Sequence, residues 1–163
     1  MTIDMGNEAL RLAGEYGFMV FPVHPPGGRN SGKLPAIKGW PQAATSDRNR
    51  IKEWWRQWPN ANIGILTGRR AGIFVLDVDI KDDGFDPLKQ LFADLQCGLP
   101  KTLFSITGTG GLHFYFKYDE RYPVFNNASK LGPGLDLRGD GGFVVAPPSL
   151  HANGNRYTWG DAR

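Results

Sequence analysis

The feature that most constrains this chain is an apolar run that ends in two acids, the segment IFVLDVDI from Ile73 to Ile80. Side chains alternate across a β-strand, so Asp77 and Asp79 share one face with Ile73 and Val75, and the other face carries Phe74, Leu76, Val78 and Ile80. Their Cα atoms would lie roughly 7 Å apart, close enough for both carboxylates to converge on one or two hard cations. The alternative is a strand end that emerges into solvent, where both acids are simply hydrated.

The overall composition predicts one domain over residues 1–163, since the chain is 163 residues long and 40% hydrophobic. The apolar runs are strand-sized, so neither a membrane span nor a secretory signal is expected. Cys97 is the only cysteine, which excludes an internal disulfide and a cysteine-based zinc site and fits a cytoplasmic protein. The net charge of +3 is compatible with a polyanionic partner but does not establish one.

Helical patterns occur mainly early in the chain and strand patterns late. One helix is predicted from about Asp4 to Glu15, a second has Ser46 as its N-cap, and a third begins at Asp86-Pro87. Strands are predicted at Phe18 to Val23, Asn62 to Thr67, Ile73 to Ile80, Thr102 to Thr107, Leu112 to Tyr118, Leu135 to Arg138, Phe143 to Ala146 and Arg156 to Trp159. This order favours an α+β fold with a mixed sheet.

A Pro- and Gly-rich loop contains Gly27-x4-Gly32-Lys33, the spacing of a phosphate-binding P-loop. Leu34 stands where a Ser or Thr should reach magnesium, and Pro35 blocks the helix whose N-terminus would hold the phosphates. We therefore reject a P-loop. Lys33 and Lys38 remain candidates to contact phosphate as point charges.

A second glycine-rich turn, Thr107 to Gly111, leads into a predicted strand whose second residue is His113. The turn enters a strand and not a helix, which rules out the dinucleotide-binding fingerprint. Bare backbone at Gly110 and Gly111 still lets N–H groups approach an anion, and His113 can donate to a phosphate oxygen. The alternative is a tight hairpin followed by an ordinary exposed histidine.

A third acid, Asp136, shares a predicted strand face with Arg138. The pair is either a surface ion pair worth under about 1 kcal/mol or a third metal ligand beside a phosphate clamp. Asp140 lies among glycines and is interpreted as a turn residue. No nucleophile elbow surrounds Ser149, which argues against a hydrolase triad.

Three segments taken in order resemble the motifs of archaeo-eukaryotic primases: Asp77-Val78-Asp79, Gly110 to His113, and Leu135 to Ser149. The chain is most similar to the bifunctional primase-polymerase domain at the front of plasmid and phage replication proteins. The resemblance covers nearly the whole chain, including the Gly64 to Gly68 segment before the acidic strand.

This resemblance implies an α/β N-terminal unit packed on an RRM-like unit, with the active site in the cleft between them. It implies that Asp77, Asp79 and Asp136 are catalytic and hold two Mg²⁺ or Mn²⁺ ions, and that His113 meets the triphosphate of a dNTP or NTP. The wider superfamily has Ser-x-His at this motif, where this chain has Gly111-Leu112-His113. A backbone N–H could replace the missing hydroxyl.

The implied reaction is template-directed nucleotidyl transfer, a DNA polymerase or primase activity in plasmid or phage replication. Three carboxylates suit a pair of metal ions at the reacting phosphate. Arg138 with Lys33 or Lys38 could orient the triphosphate. A basic set could contact phosphates of a single-stranded template and its primer, and comprises Arg48, Arg50, Lys52, Arg56, Arg69 and Arg70.

The resemblance also implies a fused or associated helicase, a longer replication protein, and the cytoplasm of a bacterial or archaeal host. Two other functions stay open on the residues alone. Three acids and a histidine serve a metal-dependent nuclease or phosphoesterase equally well. An aromatic-rich sheet also suits a non-catalytic module that binds single-stranded DNA.

Overall fold

The computed structural model describes residues 3–80 and 85–160, and these form two compact units. Unit 1 comprises Met1–Leu66 and Phe143–Thr158, and unit 2 comprises Thr67–Gly142 and Trp159–Arg163. The expected α+β class is confirmed. That the two units act as a single catalytic domain stays a prediction.

The elements follow one another in an order that alternates helices and strands before it becomes mostly β. They are α1 (Met5–Tyr16), β1 (Val20–Val23), α2 (Trp40–Ala43), α3 (Arg48–Gln57), β2 (Asn62–Leu66), a 3-10 turn (Arg69–Ala71), β3 (Ile73–Val78), α4 (Phe85–Asp94), β4 (Phe104–Ile106), β5 (Leu112–Lys117), β6 (Leu135–Arg138), β7 (Phe143–Ala146) and β8 (Thr158–Trp159).

Unit 1 contains α1, α2, α3 and a three-stranded sheet in the order β1-β2-β7. The central strand β2 pairs antiparallel with both neighbours, and every residue of β1 and β2 is buried. Helix α3 begins where the Asp47 carboxylate accepts the N–H of Arg50 at 2.8 Å. The N-cap is therefore Asp47 and not the predicted Ser46, which lies one residue earlier. An N-cap side chain accepts the backbone N–H three residues later, and that of Arg50 is bonded to Asp47.

The glycine-rich loop of unit 1 is held by the buried amide of Asn62. Its Nδ2 donates to the carbonyl oxygens of Gly32, at 3.1 Å, and Leu150, at 2.8 Å, and its Oδ1 accepts the N–H of Leu150 at 2.8 Å. Residues 33–39 are irregular apart from a single antiparallel bridge between Pro35 and Val23, and α2 begins only at Trp40. The geometry of a P-loop, a glycine-rich loop leading directly into a helix, is not formed here.

Unit 2 is built on a five-stranded sheet in the order β6-β3-β5-β4-β8. Strand β3 pairs antiparallel with β5 and β6, and β4 pairs antiparallel with β5. The order β6-β3-β5-β4 is that of an RRM-like sheet, in which the first strand lies between the last and the third. The expected mixed sheet is corrected to two antiparallel sheets, since β4 and β5 form a hairpin and β6 returns antiparallel beside β3.

The two faces of the unit 2 sheet have opposite character. One face packs Leu76, Val78, Phe114 and Leu135 against Leu88 of α4. Because side chains alternate, Asp77 and its neighbours across the strands lie on the other face. Strand β3 ends at Val78, two residues before the predicted Ile80, so Asp79 lies just beyond it.

No helix within the two described stretches is long and apolar enough to cross a membrane.

Candidate active site

A row of polar side chains crosses four adjacent strands of unit 2. Asp77 on β3 lies directly opposite His113 on β5 and Asp136 on β6. Ser105 on β4 lies opposite His113 on its other side. Residues paired in this way project from the same face of a sheet, so the row is contiguous. The sheet register thus brings together residues that are far apart in the chain, and Asp77 and Asp136 are separated by 59 positions.

His113 is buried in this row, with a relative exposure of 6%. Its Nε2 lies 3.4 Å from Oδ1 of Asp77. Beside it, the hydroxyls of two buried residues, Ser105 and Tyr115, lie 3.4 Å apart. The alternative of a tight hairpin followed by an ordinary exposed histidine is half right. The hairpin is present, but His113 is buried beside a carboxylate.

Arg138 joins the two acids. Its Nη2 donates to Oδ2 of Asp77 at 3.1 Å and to Oδ2 of Asp136 at 2.9 Å. The predicted common face of Asp136 and Arg138 is confirmed, and the guanidinium bridges carboxylates from two strands. The simple surface-pair interpretation is wrong, since the Asp77 and Asp136 side chains are only 21% and 24% exposed.

Asp136 receives a second hydrogen bond from the chain that precedes β6. The backbone N–H of Ser129 donates to Oδ1 of Asp136 at 2.9 Å. Ser129 has a φ of 54°, in the left-handed region that non-glycine residues rarely adopt. The neighbouring backbone is tied to β6, because Asn127 and Leu137 exchange two hydrogen bonds of 3.0 and 3.1 Å. Sequence reasoning missed Ser129, since a backbone donor leaves no residue-type signal.

Asp77 remains ionised over a wide pH range. Burial raises the pKa of its carboxyl, but the hydrogen bond and charge of His113, together with Arg138, outweigh burial and lower the pKa to about 2. The ionised form is the one that binds a cation or accepts hydrogen bonds from two donors.

Asp79 continues the acidic strand end. Its backbone N–H donates to the carbonyl oxygen of Gly134 at 2.8 Å, which holds it beside the start of β6. Carboxylate oxygens are the ligands that Mg²⁺ and Mn²⁺ prefer, so the donor chemistry of Asp77, Asp79 and Asp136 fits such ions. Within residues 3–80 and 85–160, however, no three His, Cys, Asp or Glu side chains are already grouped to hold a metal ion.

The glycine-rich turn before His113 is a hairpin closed by Thr107, whose N–H donates to the carbonyl of Gly111 at 2.8 Å. A Cβ placed on Gly111 would lie 2.4 Å from the carbonyl oxygen of Val78, closer than non-bonded atoms approach. A side chain would push β5 away from β3 beside Asp77.

Asp140 does more than the turn role predicted for it. Its Oδ1 accepts the N–H of Arg69 at 2.6 Å, and its Oδ2 accepts the hydroxyl of Tyr118 at 2.9 Å. Asp140 therefore attaches the 3-10 turn that carries Arg69 and Arg70 to the segment directly after β6. Both arginines are exposed.

The remaining predicted basic residues belong to unit 1. Arg48, Lys52 and Arg56 recur every four residues on α3 and line shallow grooves beside α1. Arg50 is engaged locally, since its guanidinium lies 3.0 Å from Glu53 and 5.3 Å from the ring centre of Trp54. Lys33 and Lys38 are exposed in the long loop. Their contacts with phosphate stay predictions.

Ser149 has a structural role that agrees with the rejection of a hydrolase triad. It is fully buried, and its Oγ accepts the N–H of Ile63 in β2 at 2.9 Å. The hydroxyl therefore helps to attach the segment after β7 to the sheet of unit 1.

The family model described as bifunctional DNA primase/polymerase, N-terminal, matches residues 9–163, nearly the whole chain and both compact units. No curated protein matches the chain.

Proposed function

The chain belongs to the bifunctional DNA primase/polymerase N-terminal family, and on that premise we propose that it extends a primer on a single-stranded DNA template with nucleoside triphosphates. In each cycle the primer 3′ oxygen bonds to the α-phosphorus as pyrophosphate leaves. The observation that carries the proposal is the cluster of Asp77, His113, Asp136 and Arg138 on three adjacent strands.

Asp77, Asp79 and Asp136 would hold the divalent ions, Mg²⁺ or Mn²⁺, on which family members generally depend. A bound divalent ion stabilises negative charge on the reacting phosphate. Two observations support this role. Asp77 and Asp136 are directly opposed on neighbouring strands, and Asp77 keeps its charge because His113 and Arg138 depress its pKa to about 2.

The nucleotide phosphates would be met by positive charge and by backbone donors. Arg138 is one third exposed and presents a planar guanidinium suited to phosphate oxygens. His113 lies in the same row, and Gly110 and Gly111 form the turn just before it. On the family resemblance alone, we also propose that Lys33 and Lys38 contact the nucleotide phosphates as point charges.

The template and primer would be held mainly through their phosphates. Arg48, Lys52 and Arg56 lie on one line of α3 at roughly 6 Å intervals, close to the spacing of phosphates along a strand. Arg50 would add a contact at the same helix, and Arg69 and Arg70 would act from the turn that Asp140 fixes. Contacts of this kind are independent of base sequence. We also propose a helicase partner and a role in plasmid or phage replication, which rest on the family resemblance alone.

Primer extension by Asp77→Asn and Asp136→Asn, beside a thermal melt of each protein, tests the proposal. We expect incorporation and pyrophosphate release to fall at least about a thousandfold, equivalent to about 4 kcal/mol of transition-state stabilisation, with the fold retained. Asp119→Asn is the matched control, because Asp119 is a partly exposed acid that pairs with Arg121 at 2.6 Å.

The two other functions give different results in the same assays. A nuclease would shorten the labelled strand and release no pyrophosphate from a triphosphate. A non-catalytic binding module would bind single-stranded DNA without metal and equally well in both variants. Near-normal extension by either variant would remove that aspartate from the proposed site.

A further inference from the structure

The four carboxylate oxygens of Asp77 and Asp136 all have protein partners. Oδ1 of Asp77 lies 3.4 Å from Nε2 of His113, and Oδ1 of Asp136 accepts the Ser129 N–H at 2.9 Å. Both Oδ2 atoms accept from Nη2 of Arg138, at 3.1 and 2.9 Å. A cation that binds both acids must therefore displace or share one of these donors.

Arg138 is the donor best able to leave. The Ser129 N–H belongs to a backbone segment that is restrained two residues earlier, where Asn127 and Leu137 of β6 exchange two hydrogen bonds. The His113 side chain is only 7% exposed and is enclosed between strands. The Arg138 side chain is 33% exposed and has a long, flexible stem that reaches solvent without moving the backbone.

The position of the guanidinium also has an electrostatic reason. Directly opposed residues on antiparallel strands have Cα atoms about 4.5 to 5.5 Å apart, and like charges at such positions repel. Arg138 contributes one positive charge between two negative ones. A divalent cation at the same oxygens would neutralise both.

We propose that Arg138 is the resident counter-ion of Asp77 and Asp136, and that it yields these carboxylates to a divalent cation, which frees its guanidinium for nucleotide phosphates. This inference rests on the proposed function and concerns how metal binding regulates phosphate binding at the same site. Metal binding would then determine when Arg138 can bind phosphate, because one guanidinium cannot make all its hydrogen bonds to the two carboxylates and to the triphosphate at the same time.

Mn²⁺ binding measured by electron paramagnetic resonance, without DNA or nucleotide, tests the competition directly. We expect Arg138→Gln to bind Mn²⁺ about tenfold more tightly than the wild type, because the competing charge is gone. Arg138→Lys keeps the charge and should stay closer to the wild type. Arg121→Gln is the matched control, since the described contacts of Arg121 include Asp119 and the ring of Tyr122 and neither of the two acids, Asp77 and Asp136.

A measurement on the wild type covers the case in which Arg138→Gln does not fold. The Nε–H signal of Arg138 in a ¹H–¹⁵N spectrum should shift on titration with Mg²⁺, with the same midpoint as the carboxyl signals of Asp77 and Asp136. Carboxyl shifts without a change at Arg138 would overturn the inference.

The outcomes separate this inference from the proposed function. Mn²⁺ binding by Arg138→Gln that equals or is weaker than that of the wild type overturns the inference alone. Absence of Mn²⁺ and Mg²⁺ binding in the wild type and every variant overturns both the inference and the metal dependence of the proposed function.

Discussion

His113 and Asp77 occupy directly opposite positions on two adjacent inner strands of the unit 2 sheet, with 3.4 Å between Nε2 of the histidine and Oδ1 of the aspartate. The contact is buried on the histidine side, so it is shielded from solvent more than a surface ion pair. It makes the charge state of Asp77 depend on His113.

The pKa of Asp77 provides the first prediction. In the metal-free protein its carboxyl should titrate at about 2, and His113→Gln should move that pKa toward the ordinary value of 3.8, as measured by carboxyl ¹³C chemical shift. His151→Gln, a histidine in unit 1, should leave it unchanged. A normal pKa in the wild type would show that the His113 contact is not maintained in solution.

The same pKa predicts a pH dependence of stability. The pKa is lower in the folded than in the unfolded chain, so ionised Asp77 stabilises the fold above pH 3.8, and this contribution is lost as pH falls through about 2. It corresponds to about 2 kcal/mol. Urea unfolding of the wild type and Asp77→Asn should therefore give free energies that converge over this range. A gap that is constant with pH would contradict the prediction.

Gly111 should tolerate no side chain. A Cβ there would meet the Val78 carbonyl oxygen at 2.4 Å, whereas a Cβ on Gly98 would meet nothing within 4 Å. We expect Gly111→Ala to lower the free energy of unfolding by about 2 kcal/mol and to reduce nucleotide incorporation, while Gly98→Ala changes neither by much. Denaturant unfolding and primer extension measure the two effects. Equal stability of the two variants would disprove the close approach of β3 and β5.

Ser129 should act through its backbone and not its hydroxyl. Ser129→Ala and Ser129→Gly keep the N–H that donates to Asp136, and glycine also suits the φ of 54°. Ser129→Pro removes the N–H and fixes φ near −65°, so we expect it to weaken Mn²⁺ binding and extension strongly. Melting curves check that each variant folds. A loss in Ser129→Ala as large as that in Ser129→Pro would assign the effect to the hydroxyl.

The basic line on α3 predicts a change in salt dependence. If Lys52 contacts a template phosphate, Lys52→Ala should reduce the slope of log affinity against log salt by about 0.7 for single-stranded DNA. Lys89→Ala is the control, since Lys89 is an exposed lysine on α4 whose ammonium lies 3.5 Å from Asp86. Fluorescence anisotropy at several salt concentrations measures the slope. An unchanged slope in Lys52→Ala would remove it from the interface.

The sequence by itself determined the features that depend on local pattern. Alternation along β3 placed Asp77 on the face opposite Leu76 and Val78, and Pro35 excluded the helix of a P-loop. The order of the acidic and histidine motifs indicated the family, which the family model confirms over residues 9–163. Each of these inferences needs only the residues within one segment and the order of the segments.

Tertiary structure alone decided which segments meet. Strand register across β5, β3 and β6 placed His113 and Asp136 on either side of Asp77, and no local pattern specifies pairing between strands so far apart in sequence. The same register places two carboxylates within hydrogen-bonding distance of Arg138 and buries the side chain of His113. It also leaves no room for a side chain at Gly111. Backbone donors such as the Ser129 N–H were invisible beforehand, because every residue except proline carries one and only the fold aims it.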